Sequence, residues 1–351
     1  MEDTSILFWA IFPGLILAYI WLVVWMNRNR PPGDKISALN HPANLPTKLG
    51  ATIHIATWNI GYAGLGRLSD FVTDGGKSRF PPSSEAVAEN LDAIVETLAE
   101  TQADIFLLQE VSDKSPLSYW HPVRARIVES LPGRIAFFRS DISSWGLPWP
   151  LRIVHGTLTL SNAAPTSKQM VKLLAEPTFL GGIIKRNYGL LVTRFAIEGS
   201  RNHWVVVNLH LAAFDPEGAT RHKQLEAVLD FAKTEYEKGN YVVLGGDWNL
   251  RLLKKEFPHT TDLEQLFWLV DLPEEKLPPG WKTACDKTLP TVRTNYQPYV
   301  KGENYTAIID GFIVSPNVTI NSVATTDTGF EHTDHMPVSA SFSTKPHQSL
   351  K

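Results

Sequence analysis

The stretch Val242–Leu250, VVLGGDWNL, sets Asp247 and Asn249 two residues apart after an apolar run and two glycines. On a strand, residues i and i+2 point to the same face. Glycines at a strand end let another group approach the backbone closely. A carboxylate beside an amide suits a hard cation, or a water molecule that has to be oriented. An Asx turn closing a strand uses the same residues, so the motif carries chemistry only if other groups converge on it. Such groups recur where apolar runs end: Asn59 after TIHIATW, Glu110 after ADIFLLQ, His210 after HWVVVNL, Asp310 within AIIDGFIVS, and Asp334 with His335 before MPVSASF. Taken singly they read as a turn residue, a surface charge, a core histidine, an arginine partner and a loop dyad. Taken together they are carboxylates, amides and histidines at strand ends, where sites gather in layered α/β folds. That set fits a hydrolytic centre around one hard metal ion.

The elements that must position these residues are legible in outline. TIHIATWNI, ADIFLLQEV, GRIAFFRS, YGLLVTRFAI, HWVVVNLHLAAF, YVVLGGDWNL and AIIDGFIVS read as strands, and TDHMPVSASF runs into a final one. Ser83 or Ser84 caps a helix over EAVAENLDAIVETLAET, a shorter helix follows Pro122, and ATRHKQLEAVLDFAKTEYEKG is a helix closed by Gly239. Residues 145–186 show no clear period, and SWGLPWPL within the same region reads as an apolar loop.

Of the 351 residues 43% are hydrophobic and 20% charged, which is a globular composition. A formal net charge of −3 gives no broad basic field, so nonspecific nucleic-acid binding is not favoured. The single cysteine, Cys285, rules out an intramolecular disulfide and a cysteine-rich zinc site. Residues 5–26, SILFWAIFPGLILAYIWLVVWM, carry no charge and are long enough as a helix to span a hydrocarbon core of about 30 Å. A cleavable signal peptide is the competing reading. It opens on basic residues and ends at a small-residue site, whereas Glu2 and Asp3 precede this run and NRNRPP follows it. A single-pass anchor is therefore expected. Arg28, Arg30 and Lys35 after the span place the body on the cytoplasmic side. Residues 27–49 read as a linker, 50–343 as the catalytic body and 344–351 as a tail.

The motifs TWNIG, LLQEV, NLHLAA, GGDWN, IIDGFIVS and TDHMPV, in this order over nearly the whole body, resemble the endonuclease/exonuclease/phosphatase superfamily of metal-dependent phosphodiesterases. The resemblance implies an α/β four-layer sandwich of two packed mixed β-sheets flanked by helices, here preceded by a transmembrane helix. It implies that Glu110 binds Mg²⁺, which Mn²⁺ can replace, with Asn59 helping to form the site. Asp247 would orient or deprotonate the attacking water. Asn249 and His210 would hold phosphate oxygens, and His335 would stabilise the pentacoordinate phosphate. Asp310 would orient His335 or lie close to the metal, and Asp334 would bind metal or fix His335. The stretch HLAAFD…RHKQLEAV, with His210, Arg221 and Gln224, is similar to the neutral sphingomyelinase branch. Lys77, Arg186 and Arg293 are candidate phosphate or head-group contacts. The substrate expected is a phosphate ester, with a membrane lipid head group first, DNA or RNA as the alternative, and a phosphoinositide or small ester as a third.

Overall fold

The computed structural model describes the backbone of residues 2–29, 35–144, 147, 150–175, 186–213, 215 and 218–345, and within the first helix the side chains of residues 11–25. The strands in chain order are β1 (Ser37–Ala38), β2 (Lys48–Leu49), β3 (Thr52–Asn59), β4 (Ile105–Ser112), β5 (Ile135–Ser143), β6 (Val154–Ser161) and β7 (Ser167–Lys172). They continue with β8 (Gly189–Ile197), β9 (His203–His210), β10 (Tyr241–Asp247), β11 (Lys282–Ala284) and β12 (Val292–Arg293). The last four are β13 (Thr306–Ala307), β14 (Asp310–Val314), β15 (Val318–Thr325) and β16 (Val338–Thr344). The helices are α1 (Glu2–Asn29), α2 (Ser84–Glu100), α3 (Val123–Ser130) and α4 (Ala219–Glu237).

One sheet runs β1-β5-β6-β4-β3-β16-β15, and the other runs β11-β14-β10-β9-β8-β2, with β7 also on β8. The pairs β3–β4 and β9–β10 are parallel, and most others are antiparallel, so both sheets are mixed. Alternation explains the layers. Ile53, Ile55, Ile105 and Leu107 face the second sheet, where they meet Val206, Val243, Phe312 and Val314. Their neighbours Ala56, Trp58, Phe106 and Leu108 face outward and are covered by Ile94 and Leu98 of α2 and Ile127 of α3. On the far side Val205, Val207 and Val242 pack against Leu225 and Val228 of α4. Strands buried on both faces need apolar residues at every position, hence the near-continuous runs in the sequence. The Ser83 hydroxyl accepts from Ala86 N at 3.1 Å and starts α2, which settles the cap between the two serines.

The four-layer sandwich is as expected, but several elements are not. Residues 27–49 are not wholly a linker: Ser37–Ala38 pair with β5, and Lys48–Leu49 pair with β8, so both sheets extend into this segment. Two-residue strands leave too short a pattern to read. The unread region holds β6 and β7. The β6 sequence VHGTLTLS alternates, but threonines fill its inner face, so it lacks the apolar contrast of its neighbours. Strand β15 is a half-exposed edge, for the same lack of contrast. Trp145 and Trp149 of the apolar loop lie outside the described residues. Among the described residues no helix is long and apolar enough to cross a membrane; the expected span 5–26 extends beyond the described side chains of α1 at both ends.

Candidate active site

The layer between the sheets changes character along the strands. Following every second residue, β3 reads Ile53, Ile55, Thr57, Asn59, and β9 reads Trp204, Val206, Asn208, His210. Strand β10 reads Val243, Gly245, Asp247, and β14, running the other way, begins on Asp310. The same face is therefore apolar at one end and polar at the other. Register does the rest: Asp247 lies opposite His210 on one side and opposite Asp310 on the other. The polar end rests on a buried network that the sequence reading did not single out. Gln109 donates from Nε2 to Asn208 Oδ1 at 2.8 Å and to Thr57 Oγ1 at 3.2 Å. Asn208 donates to Leu158 O at 3.1 Å. The signal was available, since Thr57 and Asn208 sit two residues before Asn59 and His210 on the same face.

Asp247 is the centre of the arrangement and is 1% exposed. Its Oδ2 accepts from Asn59 Nδ2 at 2.9 Å and its Oδ1 from Asn249 N at 2.9 Å. His210 Nε2 and His335 Nε2 stand 3.6 Å and 3.8 Å from Asp247 Oδ2. Asn249 turns back through a left-handed conformation, φ 48°, and donates from Nδ2 to Leu211 O at 3.0 Å. Gly246 is required by geometry: its φ is +151°, and a Cβ there would lie 1.9 Å from Leu209 O. Trp248 is buried and donates to Gly311 O at 3.1 Å, tying the turn to β14.

Glu110 reaches the site by an irregularity. Strict alternation after inward Gln109 would turn it outward. The β4–β6 register shifts between Leu108 and Val111, and Glu110 takes φ 53°, a left-handed conformation unusual for a non-glycine residue. The bulge re-aims the side chain so that Oε1 lies 3.9 Å from His210 Nε2. Asp334 comes from the turn before β16, with its Oδ1 beside the backbone of Gly61. Burial first, and then Asp334, push the Glu110 carboxyl above the usual range. Two crowded carboxylates are the donor set of a hard-cation site.

His335 donates from Nδ1 to Asp310 Oδ2 at 2.9 Å, and its carbonyl accepts from Trp58 Nε1 at 3.0 Å. Burial opposes a charge on the ring, but Asp310 and Asp247 outweigh it and push its pKa up to about 10. His210 goes the other way: burial, then Arg186, drive it well below 6.5, so it is neutral. Asp247 is pushed up to about 7 by burial and then by Asp310. Asp310 Oδ1 is buried without a hydrogen-bond partner. Ligand atoms of Asp247, Asp310 and His335 lie within 4.8 Å of one another, a spacing that could hold a metal ion. A small hard cation takes oxygen donors in preference to imidazole, and the oxygen donors around Glu110 offer it a second place.

The three basic candidates part company. Arg186 bridges to Ile142 and lies close enough to Glu110 and His210 to shift both. Arg293 is buried and donates to Gly66 O at 2.7 Å and Asn295 Oδ1 at 2.9 Å, so it braces the loop after β3 and presents no surface to a phosphate. Lys77 is exposed in the loop before α2. The sphingomyelinase-like pair is also structural. Arg221 donates to Asn249 O at 2.6 Å, and Gln224 accepts from Ala212 N at 2.8 Å, so both hold the turns that carry Asn249 and His210.

These shifts set a stability prediction for the metal-free protein. His335, raised from 6.5 to about 10, contributes stability that is full below pH 6.5 and lost as the pH rises through about 10. The contribution of Asp247, raised to about 7, is lost as the pH rises through about 7. Buried neutral His210 adds no slope above its unfolded value of about 6.5. The melting temperature without metal should therefore fall steadily from about pH 6.5 to pH 9. A melting temperature that rises over that interval would contradict the charge assignments.

Two packed mixed sheets, with a carboxylate–amide–histidine centre at the polar end of the layer between them, define a metal-dependent phosphoric ester hydrolase. The Endonuclease/Exonuclease/phosphatase family matches residues 56–335, and the chain belongs to that family. Solved structures agree on the fold. TDP2 from Caenorhabditis elegans is 18% identical, with 83% of this chain and 74% of that one covered and a TM-score of 0.52. An endonuclease/exonuclease/phosphatase from Beutenbergia cavernae is 17% identical, with 84% and 72% covered and a TM-score of 0.52. A protein of that family from Leptotrichia buccalis is 12% identical, with 83% and 99% covered and the same TM-score. No curated protein matches the chain.

Proposed function

We propose that this chain is a single-pass, membrane-tethered, Mg²⁺-dependent phosphodiesterase that hydrolyses a phospholipid head group of the sphingomyelin type, with its body on the cytoplasmic side. The observation that carries the tether is α1. Leu15, Leu17 and Trp21 are 62%, 67% and 66% exposed, and of the described side chains from Ile11 to Trp25 only Val23 is buried. A helix that is apolar all round and leaves most of its described side chains exposed belongs in lipid. The residues that follow carry Arg28, Arg30 and Lys35, in keeping with the positive-inside rule.

The chemistry follows from the positions. Glu110 and Asp334, with the Asn59 side chain, would hold a small hard cation through oxygen. Bound there, Mg²⁺ supplies positive charge against the charge that builds on the phosphoryl group. Asp247, poised at about 7, accepts a proton from the attacking water. Asn59 and the backbone of Asn249 fix that carboxylate in place. The second Nδ2 hydrogen of Asn249 and the neutral ring of His210 donate to nonbridging oxygens. His335 presents a cation to the same oxygens, and a fixed donor of this kind strengthens as charge develops.

The test is a comparison of substrates. The full chain in detergent or vesicles should hydrolyse sphingomyelin or a related choline phospholipid in Mg²⁺ and leave plasmid DNA and RNA intact. The chain should stay with the membrane in alkaline carbonate. Cleavage of nucleic acid with no action on any phospholipid would overturn the lipid reading. Release by carbonate would overturn the tether.

A further inference from the structure

A cleft of about 770 Å³ lies outside the catalytic centre, between β1, the segment after β4, the start of α3 and the segment before β6. Lys35, Lys114, Arg124 and Arg152 line it, with Asp113 the one acid among its lining residues. Two contacts fix Arg124 in the wall: Nη2 lies 2.8 Å from Asp113 Oδ1, and the guanidinium sits 4.4 Å from the Phe138 ring centroid. Asp113 pairs with Arg124 and lies near enough to Arg152 to feel its charge, while Lys35, Lys114 and Arg152 are exposed. The protein as a whole carries a net charge of −3, so a local excess of positive charge around one concavity is a departure from its average surface.

We infer that this cleft docks onto anionic phospholipid head groups at the bilayer surface. The inference rests on the membrane-tether reading of α1. Three observations select a lipid surface over another polyanion. First, Lys35 is nine residues beyond Met26, and an extended chain advances at most about 3.6 Å per residue. If α1 spans the bilayer, the cleft cannot stand more than about 32 Å from the end of the span. Second, the exposed Leu151 adjoins Arg152, which gives the rim an apolar residue next to a cation, as interfacial surfaces have. Third, Asp113 follows Glu110 by three residues on the same strand end, about 10 Å along the chain. The wall of the cleft and the catalytic centre are therefore built at the same end of the first sheet. Seating the cleft on head groups holds the centre at the lipid surface, where the proposed substrate lies. Cations held near an anionic leaflet each add roughly a fivefold preference. Removing three of them should weaken docking by about a hundredfold.

The experiment uses the full chain in nanodiscs of phosphatidylcholine alone or with phosphatidylglycerol, followed by hydrogen–deuterium exchange. In the anionic discs the amides of residues 35–38, 113–115 and 150–154 should exchange at least about fivefold more slowly than in neutral discs. The difference should vanish in about 1 M salt, where the Debye length is about 3 Å. It should also vanish in the variant Lys35→Gln, Lys114→Gln, Arg152→Gln, which should keep its activity on a soluble diester. Equal exchange in the two kinds of disc would overturn the inference. So would the same slowing produced in neutral discs by plasmid DNA or by inorganic phosphate. A chain that fails to enter discs defeats the tether reading alone. The cleft is then tested with the same chain free in solution and phosphatidylglycerol vesicles, with the same expected and contrary results.

Discussion

Asp247→Ala is expected to lower kcat on a soluble phosphodiester by a factor of about a thousand, within the range for a lost general base. Asp247 is the only group that touches Asn59, the Asn249 backbone and both site histidines among the contacts described. No neighbour takes its place: Asp310 is occupied by His335, and Glu110, 3.9 Å from His210 Nε2, is assigned to the metal. Stability should not suffer in proportion. The carboxylate is buried, and its ionisation is opposed by burial and by Asp310, so removing it relieves a repulsion as well as two hydrogen bonds. Asp247→Asn keeps the shape and removes the base, and it should show the same loss. The measurements are kcat on bis-p-nitrophenyl phosphate and melting temperature for both variants. A folded variant within tenfold of the parent would place the base elsewhere.

His335→Ala should cost about a hundredfold to a thousandfold in kcat, the scale of one lost transition-state donor. The informative partner is Asp310→Asn. Burial alone would hold the His335 ring neutral, and the Asp310 carboxylate is the first of the groups that oppose it. Without that charge the folded pKa falls from about 10 towards the neutral range. The parent should therefore keep His335 protonated across neutral pH. The variant should lose activity as the pH rises through a limb that has moved to lower pH, and should recover part of it at acid pH. A pH–rate profile of kcat checks this. An alkaline limb that stays in place in Asp310→Asn would mean that His335 does not act as a cation.

What the sequence disclosed, and what it hid, follows from how local each signal is. Period-two alternation was enough to gather Asn59, His210, Asp247 and Asp310, because a regular strand transmits direction from residue to residue; Asn249 and His335 were found only as polar residues next to strand ends, and turns outside the strands bring them in. Glu110 was found at the strand end, but its route into the site was not, since a bulge with a left-handed residue depends on the register of β4 against β6. Arg186 and Arg293 looked alike as basic residues in irregular stretches. Only the tertiary structure separates an arginine near Glu110 from one enclosed by the carbonyls of Leu65 and Gly66. Arg221 and Gln224 carried a family likeness and turn out to hold loops. The threonine-rich face of β6 and the two-residue strands β1 and β2 offered too little contrast to be read.

The central claim is that the polar end of the inter-sheet layer is a metal-dependent phosphodiesterase centre with Glu110 as a metal ligand. The most direct measurement is Mg²⁺ binding and diester hydrolysis on the same sample, comparing the parent chain with Glu110→Gln. The parent, stripped with EDTA, should be inactive on bis-p-nitrophenyl phosphate, bind Mg²⁺ by calorimetry, and regain turnover in step with that binding. Glu110→Gln should stay folded, bind Mg²⁺ at least about tenfold more weakly, and stay inactive at metal levels that restore the parent. Full turnover by the parent in excess EDTA, or undiminished Mg²⁺ binding by Glu110→Gln, would contradict the account.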